Sequence, residues 1–343
     1  MKKLIVGILI FISMPCLFII SGEIAIRIFH YMRYTSKNNS IHVVTFDHEV
    51  GWIPAPNYIF KGNKIDASGT SYVVTITTDK HGFRRFGNPE EKEKKKVFFL
   101  GDSFTHALQA SDNKTYYGLL GTSLPIEVFA FGVDGYGTLQ ETMILERFYD
   151  KIQPDIIIFQ FCGNDFINNS YELELKSTRN NNGMRRPYFT ETAVIYKTPK
   201  PLPFIHDFIN TYSRFLCFTI NRFDQLKARH LASVEDCILA DDTHTEFKTS
   251  VAITEQIVQN MRKHIPSSTD IYAFSVDDTF PFYDAFKNIA GRNNIHFIDG
   301  IPQAIRSAEQ RGLTTRFADN AHWNETGHQI AAKVLRQYIA VNW

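Results

Sequence analysis

The chain has 343 residues, 44% hydrophobic and 21% charged, a globular balance that excludes a wholly disordered, collagenous or many-span membrane protein. Its 37 Lys+Arg stand against 36 Asp+Glu, a formal charge of +1. No global field is available to hold a polyanion and no basic block with interleaved aromatics occurs, so nucleic acid is excluded as a partner.

Read from the N-terminus, the first signal is the uncharged run Leu4 to Ser21, behind Lys2 and Lys3. As a helix it would reach about 27 Å, close to one membrane crossing. Apolar residues continue through Ile24, Ala25, Ile26, Ile28 and Phe29 despite Glu23 and Arg27, and Pro15 predicts a kink. No A-x-A cleavage site follows, and Met14-Pro15-Cys16 is a poor lipidation context. Residues 1–40 therefore read as an uncleaved signal anchor with its juxtamembrane segment. The protein is expected to be membrane-anchored with a periplasmic or extracellular body, although Arg27, Arg33 and Lys37 follow the apolar run. Of Cys16, Cys162, Cys217 and Cys237, the last two have the spacing of a loop-closing disulfide.

Residues 41–93 are rich in Gly, Pro, Asn and Thr and read as a small β-rich leader lobe, with one strand-like run from Tyr72 to Thr78 closed by Asp79-Lys80-His81-Gly82. Glu90 to Lys96 is a solvated charge run. From residue 94 onward short apolar strands alternate with helical stretches. The strands are Val97–Leu100, Ile126–Phe131, Asp155–Phe161, Ile271–Phe274 and Ile295–Ile298. The helices lie near Thr138–Lys151, Val251–Lys263 and Tyr283–Ala290, with a last one from Glu325. That succession predicts an α/β fold with a doubly wound parallel sheet spanning 94–343. The stretch at about 170–250, with RNNNGMRRP and KTPKPLP, breaks the rhythm and reads as an insertion crossing the surface and shaping a cleft.

In such sheets functional groups gather at the carboxyl ends of the strands. There the sequence places Gly101-Asp102-Ser103-Phe104-Thr105, Gly132-Val133-Asp134-Gly135-Tyr136-Gly137 and Gly163-Asn164-Asp165, with Asp319-Asn320-Ala321-His322 before the last helix. Each alone is explained by turns and helix caps. Together they supply a nucleophile, a base, its orienter and oxyanion donors, the parts needed for acyl transfer through a serine.

These four blocks, in this order, resemble those of the SGNH hydrolase (GDSL esterase/lipase) superfamily, and the resemblance covers Val97 to the C-terminus apart from the insertion. It implies a three-layer, flavodoxin-like fold with Ser103 as nucleophile, His322 as base and Asp319 as its orienter. The implied oxyanion donors are the backbone N–H groups of Ser103 and Gly135 and the side-chain amide of Asn164. Many relatives carry an Asn just ahead of the glycine block, where this chain has Ala130-Phe131. Asp102, Asp165, Cys162, His106, His296 and His328 are taken as structural, and no metal or other cofactor is implied. The leader motifs DHEVGW and DKHGFRR also resemble those of membrane-anchored members found with extracellular polysaccharide machinery. The expected activity is that of a serine esterase acting through an acyl-Ser103 intermediate on O-acyl, such as acetyl, esters of a cell-surface glycan or a small ester. Two other readings are a glycan O-acetyltransferase using the same site and a non-catalytic surface-binding protein that keeps the fold.

Overall fold

The computed structural model describes residues 2–36, 43–190 and 193–342. The N-terminal segment is one helix, α1 (Lys2–Ser36), with Pro15 inside it. The side chains of residues 2–10 lie outside the described set, and with them much of the expected anchor. Among the described residues no helix is long and apolar enough to cross a membrane.

Two antiparallel hairpins follow. The first pairs β1 (Val44–Asp47) with β2 (Gly51–Pro54), the second β3 (Ile59–Ile65) with β4 (Ser71–Thr77). Sequence reading found only the last of these strands. In β3, IFKGNKI, exposed and half-buried residues alternate, but Gly62 and Lys64 stand on the half-buried face where an apolar period would otherwise show. The leader ends with β5 (Arg85–Phe86).

The next elements are β6 (Lys95–Gly101), α2 (Ser103–His106), α3 (Tyr116–Ser123), β7 (Ile126–Gly132), α4 (Thr138–Ile152) and β8 (Ile156–Phe161). Helices α5 (Asn164–Asn169) and α6 (Tyr171–Lys176) lead into the insertion. It holds the hairpin of β9 (Arg186–Phe189) and β10 (Val194–Lys197) and the helices α7 (Pro203–Tyr212), α8 (Arg214–His230) and α9 (Val234–Ala240). The chain closes with α10 (Thr245–His264), β11 (Asp270–Ser275), α11 (Phe282–Arg292), β12 (His296–Phe297), α12 (Ile301–Gln310) and α13 (Glu325–Asn342).

One six-stranded sheet, in the order β12-β11-β8-β6-β7-β5, carries the body. Its strands are parallel except β5, which runs antiparallel to β7 at the edge. Successive residues of β6 face opposite sides of the sheet. Phe98 and Leu100 join Phe129, Phe131, Ile144 of α4 and Met261 of α10 in one core, while Val97 and Phe99 join Val128, Tyr116 of α3, Ile305 of α12 and Leu335 of α13 in the other. Helices on both faces make three layers. The chain leaves β6 for β7 on one side and then for β8 on the other, so the carboxyl end of β6 lies where the winding reverses. An open α/β sheet has its crevice at that point.

Two expectations are corrected. The insertion does more than cross the surface: Arg186 of the RNNNGMRRP stretch is fully buried, with its Nη1 3.2 Å from Glu174 Oε2. Arg186 also bonds Gln140 of α4, and the Tyr188 hydroxyl donates to Glu174 at 2.9 Å. The arginine is buried because its partners come from α4 and α6, which the local sequence does not bring near it. Cys217 and Cys237 are free thiols rather than a disulfide. Cys217 lies within the helix α8, and the turns that follow it carry the chain about 20 Å along the helix axis before α9 begins.

Candidate active site

Strand β6 ends at Gly101, and Ser103 opens α2 at its carboxyl end. Asp102 caps that short helix by accepting the Phe104 N–H at 3.0 Å. The helix lies so close to the sheet that a side chain at either neighbouring strand end would collide with it. A Cβ on Gly132 would come within 2.5 Å of His106 N and Thr105 Cβ, and one on Gly101 would meet Thr105 and Gln160. The paired ends of β6 and β7 are therefore glycine because the serine helix occupies the space above them.

Across from Ser103, the loop between α12 and α13 brings in His322 and Asp319. His322 Nε2 lies 2.8 Å from Ser103 Oγ, and His322 Nδ1 lies 2.6 Å from Asp319 Oδ2. The other oxygen of Asp319 accepts the backbone N–H groups of Ala321 (2.9 Å) and His322 (3.0 Å), and Asn320 takes the left-handed conformation at φ 59° that this tight turn requires. Partial burial pushes the Asp319 carboxyl up, but the hydrogen bonds from His322 and the two amides override it and hold the group below the usual range. The tilted Phe104 ring lies 5.2 Å from the imidazole.

The leader hairpin holds this loop from outside. Ala67 N–H donates to Arg316 O (3.0 Å), Ala318 N–H donates to Ile65 O (3.1 Å), and Asp66 bridges Phe317 as a short antiparallel pair. The backbone leading to Asp319 and His322 is thus tied to the end of β3 by a single antiparallel bridge.

The expected oxyanion donors converge less completely. Neither the Ser103 N–H nor the Gly135 N–H has a protein acceptor among the described residues. Gly135 has φ 74° and is covered by Asn182 of the insertion, whose amide donates to Gly135 O at 3.3 Å. The Asn164 amide stands beside the same loop, donating to Tyr136 O at 3.5 Å and to Asn168 Oδ1 at 3.2 Å. The contact with Tyr136 is at the limit of a hydrogen bond, so that N–H is the more easily released of the two.

Of the residues taken as structural, Asp102, His106, Asp165 and His328 are buried. His106 is fully buried with Nδ1 2.9 Å from Asp134 Oδ1; burial pushes Asp134 up, but the charge and hydrogen bond of His106 hold it low. Burial pushes Asp102 up to about 6, and raises Asp165 and Glu141 well above the usual carboxylate range. Burial also raises the Cys162 thiol and lowers His328 to about 3, so these groups remain neutral near pH 7. His296 lies exposed on the edge strand β12, its ring tilted against Tyr272 with centroids 5.0 Å apart. Among the described residues no group of three His, Cys, Asp or Glu side chains could hold a metal ion.

Sequence reading did not assign roles to the bracing residues. The buried Arg84 guanidinium donates to the carbonyls of His106, Ala107 (2.8 Å) and Ala110 (3.2 Å) and to Asp112 (2.8 Å), tying down the end of the serine helix. The Trp52 indole donates to Asp134 O at 3.2 Å, and the Tyr136 hydroxyl donates back to Trp52 O. Asp47 accepts the Val50 N–H (2.9 Å) and pairs with Arg147 of α4 (2.8 Å). The motifs DHEVGW and DKHGFRR are the sequence signal for these contacts: both fasten the leader to the glycine loop and the serine helix.

Fold and site together define a Ser–His–Asp hydrogen-bonded chain at the carboxyl edge of a mostly parallel α/β sheet. The chain belongs to the GDSL-like lipase/acylhydrolase family, whose profile matches residues 99–330. No curated protein matches it. Among solved structures it is similar to a gut microbial diltiazem-metabolizing enzyme, at 16% identity and a TM-score of 0.40, covering 72% of this chain and 47% of that one. It therefore spans about half the length of that protein. It is also similar to a Corynascus thermopiles (Myceliophthora fergusii) carbohydrate esterase family 2 enzyme with a carbohydrate-binding domain, at 14% identity and a TM-score of 0.41, covering 83% and 89%. An acetylxylan esterase from Geobacillus stearothermophilus stands at 14% identity and a TM-score of 0.37, covering 71% and 94%. These likenesses are remote, and the family assignment does not rest on them.

Proposed function

We propose that the protein is a serine esterase that removes short acyl groups, such as acetyl, from a hydroxyl-rich carrier, a cell-surface glycan or a small ester. The observation that carries this reading is the unbroken chain from Ser103 Oγ through His322 to Asp319, at 2.8 and 2.6 Å. Ser103 Oγ attacks the acyl carbonyl carbon while its proton passes to His322 Nε2, and Asp319 holds the Nδ1–H and steadies the resulting imidazolium. The Ser103 and Gly135 amides, with an Asn164 N–H released from Tyr136 O, receive the oxyanion. The ester C–O bond then breaks as His322 returns the proton to the leaving alcohol oxygen. Water, deprotonated by the same imidazole, frees Ser103 from the acyl group.

The rim supports a polar substrate. Asn182, Asn164, Asn168 and Asp134 crowd the glycine loop. The leader motifs that brace the site resemble those of membrane-anchored proteins found with extracellular polysaccharide machinery, which favours a glycan substrate. The uncharged run Leu4–Ser21 at the start of α1 supports a single membrane anchor, with the body on the periplasmic or extracellular side.

The test is to treat the full chain in detergent or vesicles with a fluorophosphonate and with a 4-nitrophenyl acetate series. Wild type should be labelled and hydrolytic; Ser103→Ala should be unlabelled and slower by ~10⁶-fold, the loss seen when a hydrolase loses its serine. Labelling of Ser103→Ala would overturn the assignment. Adding acetylated and unacetylated glycan oligomers separates the outcomes: free acetate marks hydrolysis, and acetate moved to a sugar hydroxyl marks transfer through the same acyl-Ser103.

A further inference from the structure

Among the described residues, the large apolar side chains that remain exposed gather mainly in two segments, α1 and the α7–α8 corner of the insertion. On α7, Phe204, Phe208 and Tyr212 recur every fourth position and are 67%, 64% and 66% exposed. That spacing sets them in one stripe along the helix, and the rings of Phe208 and Tyr212 are 4.8 Å apart. On α8, Phe218, Phe223 and Leu226 are exposed as well. An aromatic patch of this kind left facing water marks a surface that something apolar covers.

The two segments are latched together. Glu23 of α1 accepts from the Ser213 hydroxyl (2.9 Å) and from the backbone N–H groups of Arg214 (3.1 Å) and Phe215 (2.9 Å). One helix's carboxylate thereby caps the N-terminus of the other, where unpaired amides favour negative charge. The Phe215 ring lies against Gly22 and edge-on to Phe18, with centroids 5.5 Å apart. The α7–α8 corner is therefore fixed to α1 at Phe18–Glu23, where the uncharged run Leu4–Ser21 ends. An amphipathic helix held at that depth beside a membrane-entering helix has its apolar stripe at the boundary of headgroups and acyl chains.

We infer that α7 and the first turns of α8 dock into the interface of the phospholipid bilayer that α1 enters, giving the body a second point of attachment. The inference rests on the anchor reading above. It commits to lipid because the stripe is continuous, through the Glu23 latch, with the apolar run of α1.

The test uses the full chain reconstituted into phosphatidylcholine–phosphatidylglycerol vesicles, with ordinary or brominated acyl chains, which quench nearby tryptophan. Phe18→Trp reports the anchor, Phe208→Trp and Phe204→Trp report α7, and Leu313→Trp reports an exposed site on the body. Wild-type emission is subtracted; Trp52 and Trp323 are buried. The added emission of Phe18→Trp, Phe208→Trp and Phe204→Trp should be blue-shifted and lost in brominated vesicles, while that of Leu313→Trp persists. If both α7 reporters persist while Phe18→Trp is quenched, the anchor stands and the inference falls: α7 then faces water, another protein or a second copy. If the α7 reporters are quenched and Phe18→Trp is not, the anchor reading falls, and the inference of a second attachment beside α1 falls with it.

Discussion

The substitution Gly132→Ala asks whether the serine helix is positioned by contact with the end of β7. An added Cβ there would lie 2.5 Å from both His106 N and Thr105 Cβ and 2.7 Å from Thr105 C. Ordinary carbon contacts are ~3.5–4.0 Å, so the overlap is about 1 Å, and most of it is against backbone that no side-chain rotation relieves. Helix α2 has to retreat by that amount and carry Ser103 away from His322. A reacting group misplaced by ~1 Å costs ~10²-fold in rate, and overpacking of this kind costs ~1–3 kcal/mol in stability. We therefore expect kcat on 4-nitrophenyl acetate to fall ~10²-fold with a smaller change in KM, and the urea midpoint to fall with it. Gly291→Ala is the control: it lies exposed in α11 with nothing within 4 Å of the added carbon, and should leave kcat unchanged while the urea midpoint holds or rises slightly, since alanine favours the helix over glycine by ~1 kcal/mol. Wild-type turnover in Gly132→Ala would refute the claim that this glycine sets the serine's position.

Three further outcomes are expected. Asp319→Asn keeps the oxygen that accepts the Ala321 and His322 amides but turns an NH₂ toward His322 Nδ1; kcat should fall ~10³–10⁴-fold with unchanged circular dichroism, and near-normal turnover would remove Asp319 from the relay. Asp102, pushed up to about 6 by burial, binds its proton more tightly folded than unfolded, so stability should fall as pH rises from about 4 to about 6. Asp102→Asn can keep the cap on Phe104 N–H and should flatten that slope by up to about 3 kcal/mol in urea titrations across this range; a slope equal to wild type would count against it. Ala67→Pro removes the N–H that donates to Arg316 O; losing one such bond, ~1 kcal/mol, should lower kcat about fivefold and shift the acid limb of the pH–rate profile, while the melting of the sheet core changes little. An unaltered pH profile would show that the hairpin does not hold the His322 loop.

Much of the architecture was legible because buried parallel strands are uniformly apolar. VFFL, IEVFAF and DIIIFQF stand out in any reading, and each is followed by residues of chemical character. The leader was read only in part, since β3 carries lysines on a half-solvated hairpin. The burial of Arg186 within the insertion was not legible, because a charge is buried only when partners from other elements, here Glu174 and Gln140, converge on it. Cys217 and Cys237 illustrate the converse: sequence spacing suggested closure, but helical geometry separates the thiols.

The sequence by itself determined the parallel strands and their order along the chain, because apolar runs are local properties written residue by residue, and the resemblance of its four blocks to a known family singled out Ser103, Asp319 and His322. Only the tertiary structure decided that these three groups lie within hydrogen-bonding distance, that Ala67 and Ile65 hold the loop bearing two of them, and that Glu23 joins the N-terminal helix to the insertion. Those contacts link positions up to 253 residues apart, as between Ile65 and Ala318. They depend on how the layers pack, and no local pattern of residues encodes that.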